Sequence, residues 1–584
     1  MEYSIIKDDT PQNTVKRIKQ IFEDLKLETE EFFYSNTTSP DAPVTLRLHL
    51  KNHFLVGTNG KGTNIDNARA SAYAEFIERL SNLMLIPLPK DWDKGYLASD
   101  KISFVGKIDY DNEFLNDYLK NKFELYSKIP VFGKKGDIAL PFYSVKHNKV
   151  YNLPFNIVSF QKGSNGMAAG NTLEEAIVQG LSEICERYAQ REIFTKKIKI
   201  PTIPKTEYKK YSRIKKMVDY LEEIGYDITI KDASLDGKLP VVCAILEVKS
   251  KNILYFVFGS HPSLPIAIER CITEFVQGIN MLENINLTQY MPYYSKEKFE
   301  ATPIENIPKS LAHMKIILEK NDYLSEQFFA TDTDYGFKET TWIKDLKITN
   351  KQCLKFLYDK VLQIANDIFI RDVSFLGFPV VNIFVPNMCE LANFDEPSLE
   401  LEQEWALWRN YYEHKSKKCN VKSLLSFSEK MLFLDMYAGI DALPKFFVPY
   451  EYVAFLCSVV LKDIERIKKY NKIMKAQNKF YQFVEEDTLF IFNIITEYFI
   501  LKEEKLTEKQ IKEKLSSFYD FDYYCSMKDI VKNLNYDIIV QNTLAENQCN
   551  DKKLSVKRLL TRLKNKYEKN IQNQNELKNI VSWE

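Results

Sequence analysis

Apolar and polar residues alternate along Val44–Leu50, which predicts a strand with one buried face. A glycine-rich turn follows, and then a helical period from about Asp66 to Met84. The same order returns further along. A strand-like run spans Asn152 to Phe160, and a second glycine-rich turn leads into a helix from about Leu173 to Thr195. Lys238–Val248 and Ile253–Gly259 read as a hairpin around the polar residues Lys249–Asn252, feeding a helix from about Ala267 to Leu282. Asp367–Asp372 and Pro379–Val385 read as a last pair of strands. Mixed strands and helices of this kind predict an α+β region.

From about Leu399 the pattern changes. Glycine almost vanishes, and long amphipathic stretches rich in Leu, Phe and Tyr run through Asn579. Candidate helices are Glu402–Glu413, Tyr450–Phe483, Asp487–Glu503 and Leu554–Tyr567. The expected organisation is therefore an α+β domain over residues 1–395 and an all-helical domain of antiparallel hairpins over 396–584. A tetratricopeptide-like array is one form such a domain takes, but no clean repeat of ~34 residues with that signature is visible.

The two copies of the turn and helix match in detail. Gly62 corresponds to Gly170, Ala68 to Ala176, Glu75 to Glu183, Glu78 to Glu186 and Arg79 to Arg187. On a helix, Ser71, Glu75 and Glu78 fall at i, i+4 and i+7, on one face, and Gln179, Glu183 and Glu186 repeat the spacing. A third helix has the same rhythm in Arg270, Glu274 and Gln277. The remaining positions are mostly small or apolar, which predicts largely buried helices. Glutamates there are costly unless neutralised. A single E-x-x-E-R is usually a solvated face with local ion pairs, but its duplication together with the preceding turn is not explained by surface charge.

Four glutamates without a lysine among them suit Mg²⁺, which takes carboxylate, water and phosphate oxygens. Free N–H groups at the two helix starts favour phosphate, and Lys61 and Arg270 would add charge-assisted contacts. The turn around Lys61 is not a Walker A loop: two residues separate Gly57 from Gly60, and Gly62 rather than Ser or Thr follows the lysine. Arg79 and Arg187 would either orient the glutamates beside them or contact the ligand. His261, in a Gly-Ser-His-Pro stretch, reads as a turn or core histidine rather than a base.

Composition narrows the function classes. Lys+Arg and Asp+Glu both number 80, so no global field gathers nucleic acid or an anionic membrane. The nine cysteines form no C-x-x-C pair, and the six histidines have no metal-ligand spacing. The N-terminus lacks the features of an export signal, and no apolar run is long enough to span a bilayer, which together predict a cytoplasmic protein.

Several blocks, in order, resemble the YcaO family. They are Thr10–Ile18, the Asn59–Gly62 turn with Ser71–Arg79, Ser164–Thr172 with Gln179–Tyr188, His261–Gly278, and the strand pair around Arg371–Asp372 and Val380–Val381. The resemblance implies an ATP-dependent enzyme with an internally duplicated core of antiparallel sheets and helices. Such an enzyme phosphorylates a backbone amide oxygen, so that a side chain or sulfide can attack the carbon. It further implies Glu75, Glu78, Glu183 and Glu186 as catalytic Mg²⁺ and phosphate ligands, with Arg270 beside them. Ser71, Gln179 and Arg270 would contact nucleotide or phosphate, and Lys7 and Thr14 would lie near the adenosine; Lys61 and Arg187 join the candidate nucleotide contacts by their charge.

Azoline-forming members end in a proline-rich tail, whereas this chain ends Leu577–Glu584 without proline, which argues for a non-azoline member. The helical extension is shared with enterobacterial members associated with β-methylthiolation of a small-subunit ribosomal protein. The resemblance thus implies a peptide or ribosomal-protein substrate and a radical-SAM methylthiotransferase partner, and the helical domain is expected to mediate a homodimer or partner docking. The alternatives are an azoline- or thioamide-forming peptide-tailoring enzyme and a non-catalytic ATP-binding scaffold.

Overall fold

The computed structural model describes residues 2–3, 7–34, 42–51, 53–85, 102–104, 110–126, 137–154, 157–158, 162–248, 253–284, 328–344, 347–390, 420–426, 428–429, 450–481, 486–539 and 556–581. The candidate helix Glu402–Glu413 lies outside the described residues.

The chain opens with α1 (Pro11–Asp24), whose first turn is capped by Thr10 and started by a proline, as an N-terminus requires. Strands β1 (Thr29–Phe33), β2 (Val44–Leu50) and β3 (His53–Gly62) form an antiparallel sheet, followed by α2 (Ile65–Ser81). Next come β4 (Ile102–Phe104), α3 (Glu113–Tyr126), β5 (Asp137–Ser144), β6 (Lys149–Pro154), β7 (Met167–Ala169) and α4 (Leu173–Lys196). Helix α5 (Ser212–Glu223) leads to the sheet of β8 (Asp227–Asp232), β9 (Val241–Val248) and β10 (Ile253–Ser260), then α6 (Leu264–Asn284). Helix α7 (Asn350–Leu362) and the antiparallel pair β11 (Phe369–Asp372) and β12 (Val380–Phe384) complete this part. The central sheet runs β4-β5-β11-β12-β7, with β6 also paired to β5.

The glycine-rich segment before α2 is not a turn. Gly57 to Gly62 lies inside β3, paired in register with His49 to Val44 of β2. The glycines are needed because the helix sits directly on the strand. A Cβ on Gly60 would lie 2.1 Å from the Ala68 carbonyl, and one on Gly62 2.5 Å from the Ala68 nitrogen. In the second copy, a Cβ on Gly170 would lie 2.5 Å from the Ala176 nitrogen, the same contact as at Gly62. In the third, a Cβ on Gly259 would meet the Ala267 carbonyl at 2.5 Å and Cys271, repeating Gly60 against Ala68 and Ala72. The first helical turns coincide as well: Ala68, Ala176 and Ala267 donate their backbone N–H to the carbonyls of Asn64, Thr172 and Ser263 at 3.0, 3.1 and 3.0 Å. The duplication seen in sequence is thus a triplication of one strand-and-helix unit.

The three units close into a ring. Helix α2 lies on its own β3 and on β7 of the second unit; α4 lies on β7 and on β10 of the third; α6 lies on β10 and on β2 and β3 of the first. Around this ring the apolar positions fill three contiguous cores.

The helices α8 (Tyr450–Leu461), α9 (Ile464–Tyr481), α10 (Glu486–Glu503), α11 (Glu508–Ser516) and α12 (Phe521–Asn533) share a core of their own. The single long helix expected over Tyr450–Phe483 is broken at Lys462, whose φ of 56° takes the backbone into the left-handed region. Helix α13 (Val556–Lys569) and the residues after it pack elsewhere. Leu559, Leu563 and Tyr567 join the core around α1 and α2, and Leu577 and Val581 join the core around α4.

A substitution contrast checks the strand–helix contacts. Gly60→Ala pushes a methyl into backbone that cannot move aside, and about 1–3 kcal/mol of stability should be lost. Gly336→Ala, where an added Cβ meets nothing within 4 Å, should leave the urea unfolding midpoint unchanged.

Candidate active site

Each helix of the ring carries a run of polar side chains that is not fully buried. On α2 this includes Ser71, Glu75 and Glu78, and on α4 Gln179, Glu183 and Glu186. The third case is the sharpest: from Leu264 to Gln277 every residue of α6 is buried except Arg270, Glu274 and Gln277. On α6 such a stripe on an otherwise buried helix faces a cleft between the units, as the contacts of Arg270 and Glu274 with the other two units require.

Direct contacts tie the stripes together. Arg270 donates from Nη2 to Gln179 Oε1 at 2.6 Å and from Nη1 to the Ser260 carbonyl at 2.6 Å, joining the third unit to the second. Lys61 of β3 pairs with Glu274, joining the first unit to the third. Arg79 lies 3.5 Å from both Glu75 and Glu78, and Arg187 lies 3.9 Å from Glu186.

The electrostatics follow from this crowding. Burial pushes the Glu78 carboxyl well above the usual carboxylate range; Arg79 pulls it back, and the charges of Glu75 and Glu183 add to the rise. Glu183 is raised by burial too, opposed by Arg187 and Arg79 and reinforced by Glu186. Lys61 keeps 31 % of its side chain exposed, yet its place in the cleft lowers its pKa, against the pull of Glu186 and Glu75. Burial lowers Arg270 likewise, with Glu186 opposing. The carboxylates of both copies therefore feel one another and the same cations.

Sequence reasoning missed Lys162, Asn171 and Glu175. Lys162 is 1 % exposed, and its ammonium donates to the Asn165 carbonyl at 2.8 Å. Burial draws its pKa down to about 8 despite the nearby charges of Glu183 and Glu78. A lysine in a loop carries no signal of this in sequence. Glu175 is buried at the start of α4, where it accepts from Lys7 Nζ at 3.0 Å and from the Asp8 backbone N–H at 2.9 Å. Asn171 donates to Glu175, and its Oδ1 accepts from the Thr14 hydroxyl at 2.7 Å. Lys7 and Thr14 thus meet at the start of α4, and Asn171 and Glu175 are the residues that bring them there. His261 occupies the position of Gly62 and Gly170. It is buried and neutral, its pKa lowered by burial and by Arg270 and Lys7, and its Nδ1 accepts from the Ser263 N–H.

The helix starts are less open to an anion than expected, because the Asn64 and Thr172 side chains already accept from Asn67 and Glu175 N–H groups. Among the described residues, no three His, Cys, Asp or Glu side chains form a ready-made metal cage. Mg²⁺ is commonly held by one or two carboxylates and completes its shell with water and phosphate oxygens. The carboxyls of Glu78 and Glu183, raised by burial, have the hard-oxygen chemistry such an ion takes.

A family model described as the ATP- and Mg²⁺-binding YcaO cyclodehydratase matches residues 59–389. The chain belongs to the YcaO family. Members of this family are ATP-dependent, and ATP and Mg²⁺ are the ligands they take. The chain is 29% identical over 410 residues to the ribosomal protein S12 methylthiotransferase accessory factor YcaO of Escherichia coli, covering 66% of each chain. The match thus spans just under two thirds of that relative's length. Among solved structures, it is similar to YcaO from Methanopyrus kandleri bound with AMPPCP and Mg²⁺ (16% identity, TM-score 0.42, 67% of this chain and 96% of that one). It is also similar to a heterocyclase in complex with substrate and cofactor (20% identity, TM-score 0.45, 66% and 54%). Among the described residues no helix is long and apolar enough to cross a membrane.

The raised carboxyls give a pH signature. A carboxyl whose pKa is higher folded than unfolded costs nothing below the ordinary glutamate range, and its cost grows as pH rises through the folded value. In the nucleotide-free protein, Glu78→Gln should therefore match the parent near pH 4 and become progressively more stable than it toward pH 8, read as urea midpoints across roughly that range.

Proposed function

We propose that the protein uses ATP and Mg²⁺ to phosphorylate an amide oxygen of a peptide backbone in a peptide or ribosomal protein. We infer further that it serves the β-methylthiolation of a small-subunit ribosomal protein beside a radical-SAM methylthiotransferase. The observation that carries the reading is the convergence of Glu75, Glu78, Glu183 and Glu186, from two copies of one helix, on a cleft that also receives Lys61 and Arg270. The name of the E. coli relative supports the ribosomal role.

In this reading Glu75, Glu78, Glu183 and Glu186 would hold Mg²⁺, with phosphate oxygens completing its shell. Bound Mg·ATP supplies the phosphoryl group and the positive charge that the buried carboxylates lack. Lys61 and Arg270 hold the phosphates, and the 2.6 Å contact to Gln179 fixes the direction in which Arg270 points. Arg79 and Arg187 orient the carboxylates beside them. Lys7 and Thr14, drawn to the start of α4 through Glu175 and Asn171, border the adenosine. No protein nucleophile is required, because phosphoryl transfer depends on positioning and charge neutralisation. The helical part mediates self-association into a homodimer or docking of the partner.

Glu75→Ala and Glu186→Ala should each abolish Mg·ATP binding in calorimetry while retaining cooperative unfolding; wild-type affinity in either variant refutes the site. Mass spectrometry of the proteome with and without the protein should show one lost modification, a +46 Da methylthio group on a ribosomal protein in this reading. An azoline or thioamide on a short peptide would point instead to peptide tailoring. ATP binding without turnover on any acceptor would point to a scaffold.

A further inference from the structure

The third unit departs from the other two where it matters. Superposed on the pattern of Glu75/Glu78/Arg79 and Glu183/Glu186/Arg187, it carries Glu274, Gln277 and Gly278. A neutral amide replaces the second carboxylate, and the arginine that would orient it is gone. Gln277 cannot serve a cation as Glu78 and Glu186 do. Its carbonyl oxygen Oε1 is nevertheless shielded from solvent and accepts no hydrogen bond. An orphaned acceptor of this kind costs about as much as a lost hydrogen bond, so it marks a place where a donor belongs. Gln277 stands one helical turn from Glu274 and two from Arg270, which reach Lys61 and Gln179 in the other two units.

Resting on the ATP-dependent reading above, we propose that the Gln277 end of the third stripe faces the acceptor, where Gln277 Oε1 accepts the N–H of the peptide bond whose oxygen is phosphorylated. The class of ligand is a secondary amide. The chemistry balances without any further reactant. The amide oxygen attacks the γ-phosphorus, a new oxygen–phosphorus bond forms, and the bond to the bridging oxygen breaks, with ADP taking the electron pair. The amide nitrogen donates its lone pair toward the carbon, so its N–H becomes more positive while the proton stays on nitrogen. The bond to Gln277 therefore strengthens along the reaction, and interactions that strengthen toward the transition state raise turnover. In this arrangement the two acidic stripes and Arg270 would serve the Mg-nucleotide, and Gln277, one turn beyond Glu274, the group that receives the phosphoryl.

The test uses the full chain with Mg²⁺ and AMPPCP bound, and two probes followed by saturation-transfer NMR. N-acetylglycine N'-methylamide offers amide N–H groups; its fully N-methylated counterpart offers none. Wild type should prefer the first by roughly fivefold, the scale of one hydrogen bond. Gln277→Leu and Gln277→Met should lose that preference while binding AMPPCP within about twofold of wild type, and Gln277→Glu, still an acceptor, should keep it. Equal binding of both probes by wild type overturns the assignment, as does binding of neither, and neither result needs a folded variant. Retention of the preference in Gln277→Leu or Gln277→Met overturns it as well. Failure of wild type to bind Mg·AMPPCP brings down the ATP reading itself, and this inference with it.

Discussion

Burial of like charge in one cleft is the constraint around which the structure is arranged. Glu78 is 12 % exposed and Glu186 17 %, and each senses a carboxylate on its own helix or on the facing one. Lys61, Arg79, Lys162, Arg187 and Arg270 offset this, but Glu78 and Glu183 remain raised, so the neutralisation is incomplete. A fully paired cluster would have no use for a ligand's charge, and an unpaired one would not fold at neutral pH. The intermediate state leaves carboxylates that a divalent cation carried by phosphate can claim.

Close approach of helix to strand makes that crowding achievable. The three stripes face one another only because α2, α4 and α6 each sit hard against the strand before them, with Gly60, Gly62, Gly170 and Gly259 leaving room for helix backbone. Any side chain at those positions would lift its helix outward and move the polar groups apart. The phosphoryl transfer proposed above would tolerate little displacement of the groups that position it. The same residues therefore serve stability and geometry together.

Much of this was legible in the sequence, for definite reasons. Period-3.6 helices with glutamates at i and i+3 declare their faces, so the stripes on α2 and α4 could be read directly, and the strand pairs near Val241–Ser260 and Phe369–Phe384 fell on the apolar runs read as strands. The glycine-rich Gly57–Gly62 was misread as a turn because glycine signals both flexibility and close packing, and only the position of Ala68 distinguishes them. The third unit was read as a rhythm rather than a repeat, since it has His261 for glycine and Gln277 for glutamate. Lys162, Asn171 and Glu175 were illegible because their partners lie on other elements: Glu175 looks like an ordinary acidic residue in a first helical turn until the N-terminal segment arrives.

The return of the chain's last helices to the first region has a physical consequence for the second unit. Gln574 mimics a neighbouring strand at Asp372, accepting its backbone N–H at 2.7 Å and donating to its carbonyl at 3.0 Å. Arg371 donates to the Tyr567 hydroxyl at 3.1 Å, and Asn570 to the Phe375 carbonyl at 3.0 Å. These contacts fall on β11 and the turn that follows it. Strand β11 pairs with β12, and β12 pairs with β7, the short strand that delivers Gly170 to the start of α4. Gly170 itself donates to the Pro379 carbonyl at 3.1 Å, immediately before β12. A three-residue strand such as β7 has little pairing of its own to hold it. Its position, and with it that of Glu183 and Glu186, depends on the β11–β12 pair, which residues 556–581 brace from the far side.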